Sequence, residues 1–500
     1  MRNLYSSHQI RQSEENVARL ANISLYELMQ RAGSAAFEQV RRILPEQGKL
    51  LVCCGSGNNG GDGFVVATLA LELGYEVDVL QSSGSPSTTL EAIQAQQQWR
   101  TYNRPLLNEI ESDSHYDLIV DALLGTGLTG VVRPSLAKVI QTINDLKIPV
   151  LSLDIPSGLN ADTGTILGVA VQASTTVTFI GNKKGLVTGK ACDVVGELYL
   201  AELGVQQHFY SLEKAYAHIF DRDSAYKALP KRQHSSHKGH CGRALFIGGN
   251  QGKSGAIILA SQACARIGAG LINVATHQQS VQGILSRQPE VMTIAVSSDA
   301  EDIKVTEAMG LATAIGLGPG LGCDPWAFAL FEQAMRQHCP KVIDADGLNL
   351  LAQTNVIYDL HNCILTPHPG EASRLLGVSI ADIEHDRYTA IRQLQSKYQC
   401  VVLLKGAGTL IADGSNTWVI HAGNSGMATG GMGDVLTGVI LGLLCQGMPV
   451  VSATCLGAWL HSTAADLNGQ QFGSVGMLAS DLLPILRQLR NDPFYSPISS

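Results

Sequence analysis

Five hundred residues exceed what one hydrophobic core organises, so the chain reads as two or three domains. Its 45 % hydrophobic and 16 % charged residues, with 52 glycines, exclude a disordered chain and describe a globular one with many tight loops. A formal net charge of −8 argues against nonspecific nucleic-acid or anionic-membrane binding, yet backbone N–H groups can still bind phosphate.

The N-terminus has no apolar stretch long enough for a signal peptide. Ser24 is placed to cap a helix whose Leu28, Ala32, Ala36, Val40 and Leu44 share one face. KLLVCC, Lys49 to Cys54, reads as a buried strand, followed by a glycine loop and a helix from Phe64 to Leu73. Further strands are YEVDVL, DLIVD ending at Asp121, PVLSLD ending at Asp154, and TTVTFI near Ile180. Repeated strand–loop–helix units predict a mostly parallel sheet covered by helices. Periodicity fades between Leu203 and Lys238, which sets a boundary near residues 210–225 and domains of 1–215 and 222–500. A second series then runs through RALFIG, LINVAT, ATAIGLG, KVID, CILTP, VVLLKG and TWVIHAG. The apolar segment Val435 to Leu460 is broken by Gly442, Gly447 and Pro449, which predicts two helices and no membrane span. Eleven cysteines without a CxxC read as reduced, buried thiols of a soluble cytoplasmic protein, for which a homo-oligomer is the expected assembly.

In the first half, GSGNNGGDG carries a G-x-G-x-x-G at Gly55, Gly57 and Gly60, between a strand and a helix. Such a loop presents N–H groups to a pyrophosphate. A dinucleotide dehydrogenase needs an acid at the end of the next strand, and YEVDVL instead runs into Gln81, Ser82 and Ser83. Polar groups gather at three strand ends: Asn58, Asn59 and Asp62, then Asp121, then Asp154 with Ser157. With the second glycine loop GTGLTG they point to one ligand crevice rather than to isolated turn caps. Asn59, Asp121 and Ser157 are hard oxygen donors suited to a cation, Asp154 is a candidate acid–base group, and Lys183 can steady a negative charge.

In the second half, NSGMATGGMGDVLTG runs from a glycine loop straight into an apolar helix. Free N–H groups at that helix start form an anion hole, and Asp434 is placed to take a proton from a hydroxyl during phosphoryl transfer. TPHPGEASRLLG brings His368, Glu371 and Arg374, and LLKGAGTLI brings Lys405. GLGPGLG allows close backbone approach, while Asp344 and Asp346 in IDADGLN serve either a Mg²⁺ shell or a turn. GGNQGKSG fails the P-loop spacing at Ile247, and His234, His237, His240 and Cys241 read as a solvated linker.

Together GSGNNGGDG, DALLGTG, DIPSGLNADTG, HKGHCGRALFIGG, GLGPGLG, DADGLN, TPHPGEASRLLG, LKGAGTLI and NSGMATGGMGDVLTG resemble the bifunctional NAD(P)H-hydrate repair enzymes along nearly the whole chain. The resemblance implies an α/β fold, with an N-terminal Rossmann-like three-layer sandwich for epimerisation and a C-terminal ribokinase-like domain for ADP-dependent dehydration. The implied substrates are NADH and NADPH hydrated at ring carbon C6. Asn58, Asn59, Gly60, Gly61 and Asp62, with Gly125, Thr126, Gly127, Leu128, Thr129, Gly130, Val131 and Asp154, would then bind the hydrate. Asn59, Asp121 and Ser157 would hold K⁺. In the second domain Ala256, Gly320, His368, Pro369, Gly370, Glu371, Ala372, Ser373, Arg374 and Asp434 would bind the hydrate. Lys405, Gly406, Ala407, Gly408, Thr409 and Gly433 would bind ADP, which acts as phosphoryl donor with Mg²⁺. The implied catalytic groups are Asp154, Lys183 and Asp434. One departure is GNKKGL, where Lys184 stands in place of the proline more common in the family. A small-molecule kinase of the vitamin-precursor type, fused to a nucleotide-sensing module, shares the GGMGD chemistry and is the alternative.

Overall fold

A computed structural model describes residues 2–81, 87–110, 115–297 and 303–496. The chain divides into two compact units, Asn3–Ala217 and His218–Ser500, the second also containing Met1–Arg2.

In the first unit a seven-stranded sheet runs in the order Leu106–Leu107, Glu76–Gln81, Lys49–Cys54, Leu118–Ala122, Val150–Leu153, Thr175–Phe179, Glu197–Ala201. Every pairing is parallel. Strand order therefore reverses between Lys49–Cys54 and Leu118–Ala122, the switch point where doubly wound sheets open a crevice. The strands are buried on both faces, as continuous apolar runs in a parallel sheet must be. Phe64, Phe37 and Val66 fill one side, and Ile140, Ile143 and Val171 the other. The helix Leu25–Ile43 is capped by Ser24, which accepts from the N–H of Glu27, and buries Leu28, Ala32, Ala36 and Val40.

One expected boundary is wrong. The helix after the first strand spans Asn58–Glu72 and does not wait for Phe64, so most of the presumed loop is its first turns. Three glycines, Gly60, Gly61 and Gly63, obscured the helical pattern, since glycine is a poor helix former. Here they are set by space: a Cβ at Gly60 would lie 2.0 Å from the carbonyl oxygen of Gly55. Of the residues after YEVDVL, Ser82 and Ser83 lie outside the described set.

In the second unit the strands Met292–Val296, Leu271–His277, Arg243–Ile247, Ala314–Leu317, Lys341–Ile343, Cys363–Leu365 and Val401–Leu404 are parallel neighbours in that order. Thr409–Ala412 and Thr417–Ile420 then continue antiparallel. LKGAGTLI, read as a lysine and a glycine turn, thus also runs into the strand Thr409–Ala412, which is short and carries no alternation. The fading stretch likewise holds the helix Gln206–Leu212, the strand Ala217–Ile219 and the helix Arg222–Ala228. The segment after Val435 forms two helices, Met432–Cys445 and Val450–Phe472. Among the described residues no helix is long and apolar enough to cross a membrane. All eleven cysteines are free, but Cys192 and Cys323 are exposed and Cys339 half-buried, so the expectation of uniformly buried thiols is corrected.

Helices Ser254–Ile267 and Met432–Cys445 touch backbone to backbone. A Cβ at Gly438 would stand 2.0 Å from the carbonyl oxygen of Ala260. The Gly438→Ala substitution should therefore destabilise this unit by about 1–3 kcal/mol. Calorimetry of the whole chain should show a lower transition for residues 218–500 and an unchanged one for residues 3–217.

Candidate functional site

At the switch point of the first unit lies a cavity of about 570 Å³, lined by the Asn58 helix start, the Gly125–Val131 loop, Asp154 and Lys183. The helix Asn58–Glu72 begins at Gly57 without a side-chain cap, so its first N–H groups are left for a ligand. Asn59 sits against Gly125 and donates to the carbonyl of Leu124 at 3.1 Å. Of the segments expected to bind here, Asn58, Asn59, Asp62, Gly125 to Thr129 and Val131 line the cavity; Gly60, Gly61 and Gly130 do not.

Asp154 and Lys183 reach the cavity by an unusual route. Asp154 has φ of 64°, and the N–H of Ile155 bonds the carbonyl of Leu153 at 2.8 Å. Ile180, at the end of the neighbouring strand, repeats the pattern with φ of 67° and a 2.7 Å bond from Gly181 to Phe179. Both are tight γ-turns with positive φ, a rare and strained geometry that persists where surrounding structure enforces it. Lys183 is only 1 % exposed; its ammonium donates to Asp154, to Thr178 Oγ1 at 3.0 Å and to the carbonyl of Phe179 at 2.9 Å. It is not a surface lysine.

Two further carboxylates face this pair. Burial, then the charges of Asp154 and Glu14, hold Asp62 well above the carboxylate range. Burial and Asp154 raise Glu14 to about 7. Glu14 and Arg11, from the helix Ser7–Leu20, and Arg133 line the cavity and were missed from sequence. The signal for Glu14 was present: it stands four residues after buried Ile10 and three before buried Val17, a carboxylate on an apolar stripe.

Beneath the cavity Asp121 is fully buried. It accepts from Ser157 Oγ at 2.6 Å, the N–H of Ser157 at 2.9 Å and Ser152 Oγ at 2.8 Å. Burial pushes its carboxyl up, and these hydrogen bonds oppose that. Asn59 Oδ1 is buried with no hydrogen-bond partner. An orphan carbonyl oxygen beside a hydroxyl and a buried carboxylate fits a cation with oxygen ligands.

The second site gathers around the start of the helix Met432–Cys445. Gly431 enters it with φ of 90° and no side-chain cap, and Asp434 is its third residue rather than its cap. Asp344, 1 % exposed, accepts from Lys405 Nζ at 2.7 Å and from Thr437 Oγ1 at 2.9 Å. Gly433 lies over this pair: a Cβ there would meet Lys405 Nζ at 3.1 Å. Lys405 is also 3.7 Å from Glu371. Burial works to lower the Lys405 pKa, and Asp344 with Glu371 outweighs it, so the ammonium is held charged. Glu371 is buried and forms a capping box with His368 at the start of Pro369–Leu376. Arg374 donates to Asn349 at 2.9 Å, and Gly320 lies against Lys253 and Ala256. Asp346 is held by Lys253 at 3.2 Å and the N–H of Gly322 at 2.7 Å. The Lys405 to Thr409 turn is braced by buried Arg387, which donates to the carbonyl of Lys405 at 3.1 Å. Thr437 was not foreseen, although a hydroxyl one turn after Asp434 in an apolar helix was its signal.

Burial, then the charge of Asp344, raises Asp434 to about 7, with Lys405 opposing. The folded chain therefore favours the neutral carboxyl, a contribution present below the ordinary aspartate range near 4 and lost as pH rises through about 7. Asp434→Asn should be more stable than the parent above pH 7 and lose that advantage by about pH 4. Denaturant titrations at several pH values check this.

The residues 25–185 match the family model described as YjeF-related protein N-terminus, and residues 244–488 match that described as NAD(P)H-hydrate dehydratase. The bifunctional NAD(P)H-hydrate repair enzyme of Coxiella burnetii is 45 % identical, covering 98 % of this chain and 99 % of its own length. That of Escherichia coli is 41 % identical, covering 96 % and 93 %. A crystal structure of an ADP/ATP-dependent NAD(P)H-hydrate dehydratase from Bacillus subtilis, co-crystallised with ATP/Mg²⁺, is 29 % identical with a TM-score of 0.50, over 55 % of this chain and 98 % of that one. With two-fifths or more of its residues shared along almost its full length, the chain belongs to the family of bifunctional NAD(P)H-hydrate repair enzymes.

Proposed function

We propose that the cavity of the first unit interconverts the R and S hydrates of NADH and NADPH, and that the crevice around Asp434 dehydrates the S hydrate using ADP. The observation that carries this reading is the uncapped start of Met432–Cys445, where free N–H groups, Asp434 and the Lys405–Asp344 pair meet.

In the hydrate, C6 bears a hydroxyl beside the ring nitrogen. Asp434, as carboxylate, takes the hydroxyl proton while the oxygen attacks the terminal phosphorus of ADP, and AMP leaves. The helix start and Lys405 stabilise the charge on the transferring phosphoryl. The ring nitrogen then expels phosphate from C6 and a proton leaves C5, which restores the C5–C6 double bond. Asp344 and Asp346 are engaged by Lys405, Thr437 and Lys253, so Mg²⁺ is expected on the nucleotide's phosphates, its usual place in such sites. The turn from Lys405 to Thr409 holds the nucleotide, and the segment from His368 to Arg374, with Ala256 and Gly320, holds the hydrate.

Epimerisation breaks and re-forms one bond at C6: either C6–N, with the hydroxyl losing a proton and the ring nitrogen gaining one, or C6–O, with the hydroxyl protonated so that water leaves with help from the ring nitrogen and returns to the other face. Asp154, fixed by Lys183, is the acid–base group. Glu14 is a second, able to donate below about pH 7 and accept above it. Asn59, Asp121 and Ser157 would hold K⁺, and its charge would favour an anionic ligand at the Asn58 helix start. The assembly is proposed to be a cytoplasmic homo-oligomer.

The full-length protein, given a mixture of R and S NADH hydrates with Mg²⁺, K⁺ and either ADP or ATP, should restore all reduced-nicotinamide absorbance with ADP. Asp154→Asn should stall at the S fraction, its epimerisation slowed about 100-fold or more. Asp434→Asn should restore none. A stable phosphorylated product in place of reduced nicotinamide would overturn the reading in favour of a small-molecule kinase.

Glu14→Gln supplies a separate check. Epimerisation by the parent should change with pH through about 7, and the variant should lose that inflection while the dehydratase rate stays unchanged. A profile identical to the parent's would remove Glu14 from the mechanism.

A further inference from the structure

The second unit holds another cavity, of about 840 Å³, at the far end of its sheet from Asp434. The helix Ser254–Ile267 fixes the separation. Its first residues lie beside Gly320 in the dehydratase crevice, and its last, Arg266 and Ile267, line this cavity. Fourteen residues of helix span about 20 Å. The helix Met432–Cys445 runs the same way: Asp434 is at its start, and Gln446 just past its end bonds the carbonyl of Ile267 at 3.2 Å.

The cavity is lined by Lys227, Lys231, Arg232, Arg266, Arg487 and Arg490, and by no carboxylate. In a chain of net charge −8 such a concentration of cations is out of proportion. None of the six makes an ion pair among the described residues. Two backbone carbonyls and one side-chain amide oxygen account for part of the arrangement. Arg232 donates to Gly268 at 2.5 Å, and Arg490 to Pro230 at 2.9 Å and to Gln446 Oε1 at 3.1 Å. That leaves Arg490 Nε, which is buried and has no acceptor. Burial and then the charge of Arg232 lower the Arg490 pKa, as expected of cations crowded without an anion. One wall carries Tyr226, 58 % exposed, with the ring of Phe494 5.5 Å away.

We propose that this cavity is a second, non-catalytic site for a nucleoside polyphosphate, its phosphates on the arginines and lysines and its base on Tyr226. The volume suits a ligand of that size, and an exposed aromatic face is the usual platform for a base. The site draws on none of the residues assigned to epimerisation or dehydration, so it stands or falls apart from them.

Isothermal titration of the full-length protein with ATP tests it. Two sites per chain are expected, of which the Lys231→Gln/Arg266→Gln/Arg487→Gln variant keeps one and weakens the other about tenfold or more. These three side chains are exposed at the cavity mouth, and the variant should dehydrate NADH hydrate at the parent's rate. Tyr226→Ala should weaken the second site for ATP without changing its affinity for tripolyphosphate. A single ATP site in the parent that the triple variant leaves unchanged, or identical titrations of parent and triple variant, would overturn the proposal. So would charge-dependent binding confined to phosphatidylserine vesicles, which would assign the cations to a membrane surface.

Discussion

An ammonium taken out of water costs several kcal/mol unless a carboxylate and further acceptors meet it. Each half of this chain meets that requirement at the end of a parallel strand: Lys183 with Asp154, and Lys405 with Asp344. Removing either partner would leave an uncompensated buried charge, so each pair stands or fails as a unit. The surrounding groups are arranged about it. In the first unit the pair faces Glu14 and Asp62, whose proton affinities are raised by burial and by Asp154. In the second, Lys405 opposes, and Asp344 assists, the rise at Asp434. A carboxyl near neutrality is what an acid–base catalyst needs, and here it follows from burial beside an occupied ion pair.

The backbone bears part of the cost of this placement. Asp154 and Ile180 hold positive φ at adjacent strand ends, and Ala345, between Asp344 and Asp346, has φ of 49°. None is glycine, so each is strained by about 1–3 kcal/mol and held there by its neighbours. Rigid strands on one side and a helix start on the other fix the reacting side chains more closely than a free loop would.

Much of this was legible in the residues. Parallel strands buried on both faces are continuous apolar runs, so KLLVCC, DLIVD and PVLSL stood out. The strand ends then gathered Asn59, Asp121, Ser157 and Asp154 by the general rule for such sheets. What stayed hidden depends on contacts far apart in sequence. Lys183 was legible as a group able to steady a negative charge and Asp344 as a Mg²⁺-shell or turn residue, but not their partners: strand pairing carries Lys183 to Asp154, and Lys405 reaches Asp344 from 61 positions away. The start of Asn58–Glu72 was hidden for a different reason. Its glycines answer to the crowding of Gly55 and Ala122, a tertiary demand that overrides local propensity.

Some helix starts are satisfied by the residue before them, and three that face a crevice are left open. Ser6, Ser24, Thr89, Asp324 and Ser379 each accept a bond from the helix they precede, satisfying a donor that would otherwise need water. The helices beginning at Asn58, Ser254 and Met432 have no such side-chain cap. Gly57 and Gly431 supply no side-chain oxygen, and Lys253 points its ammonium at Asp346. A side-chain cap contributes about 1 kcal/mol, and at these three starts an anion can take the same N–H groups, whereas the crevice helix Pro369–Leu376 keeps its cap from His368. The two crevices then differ in what stands beside those groups. Around Gly57 stand three carboxylates, one lysine and two arginines, a setting for moving protons on a bound dinucleotide. Around Gly431 stand the near-neutral carboxyl of Asp434 and a lysine held charged by Asp344 and Glu371, a setting for moving a phosphoryl group.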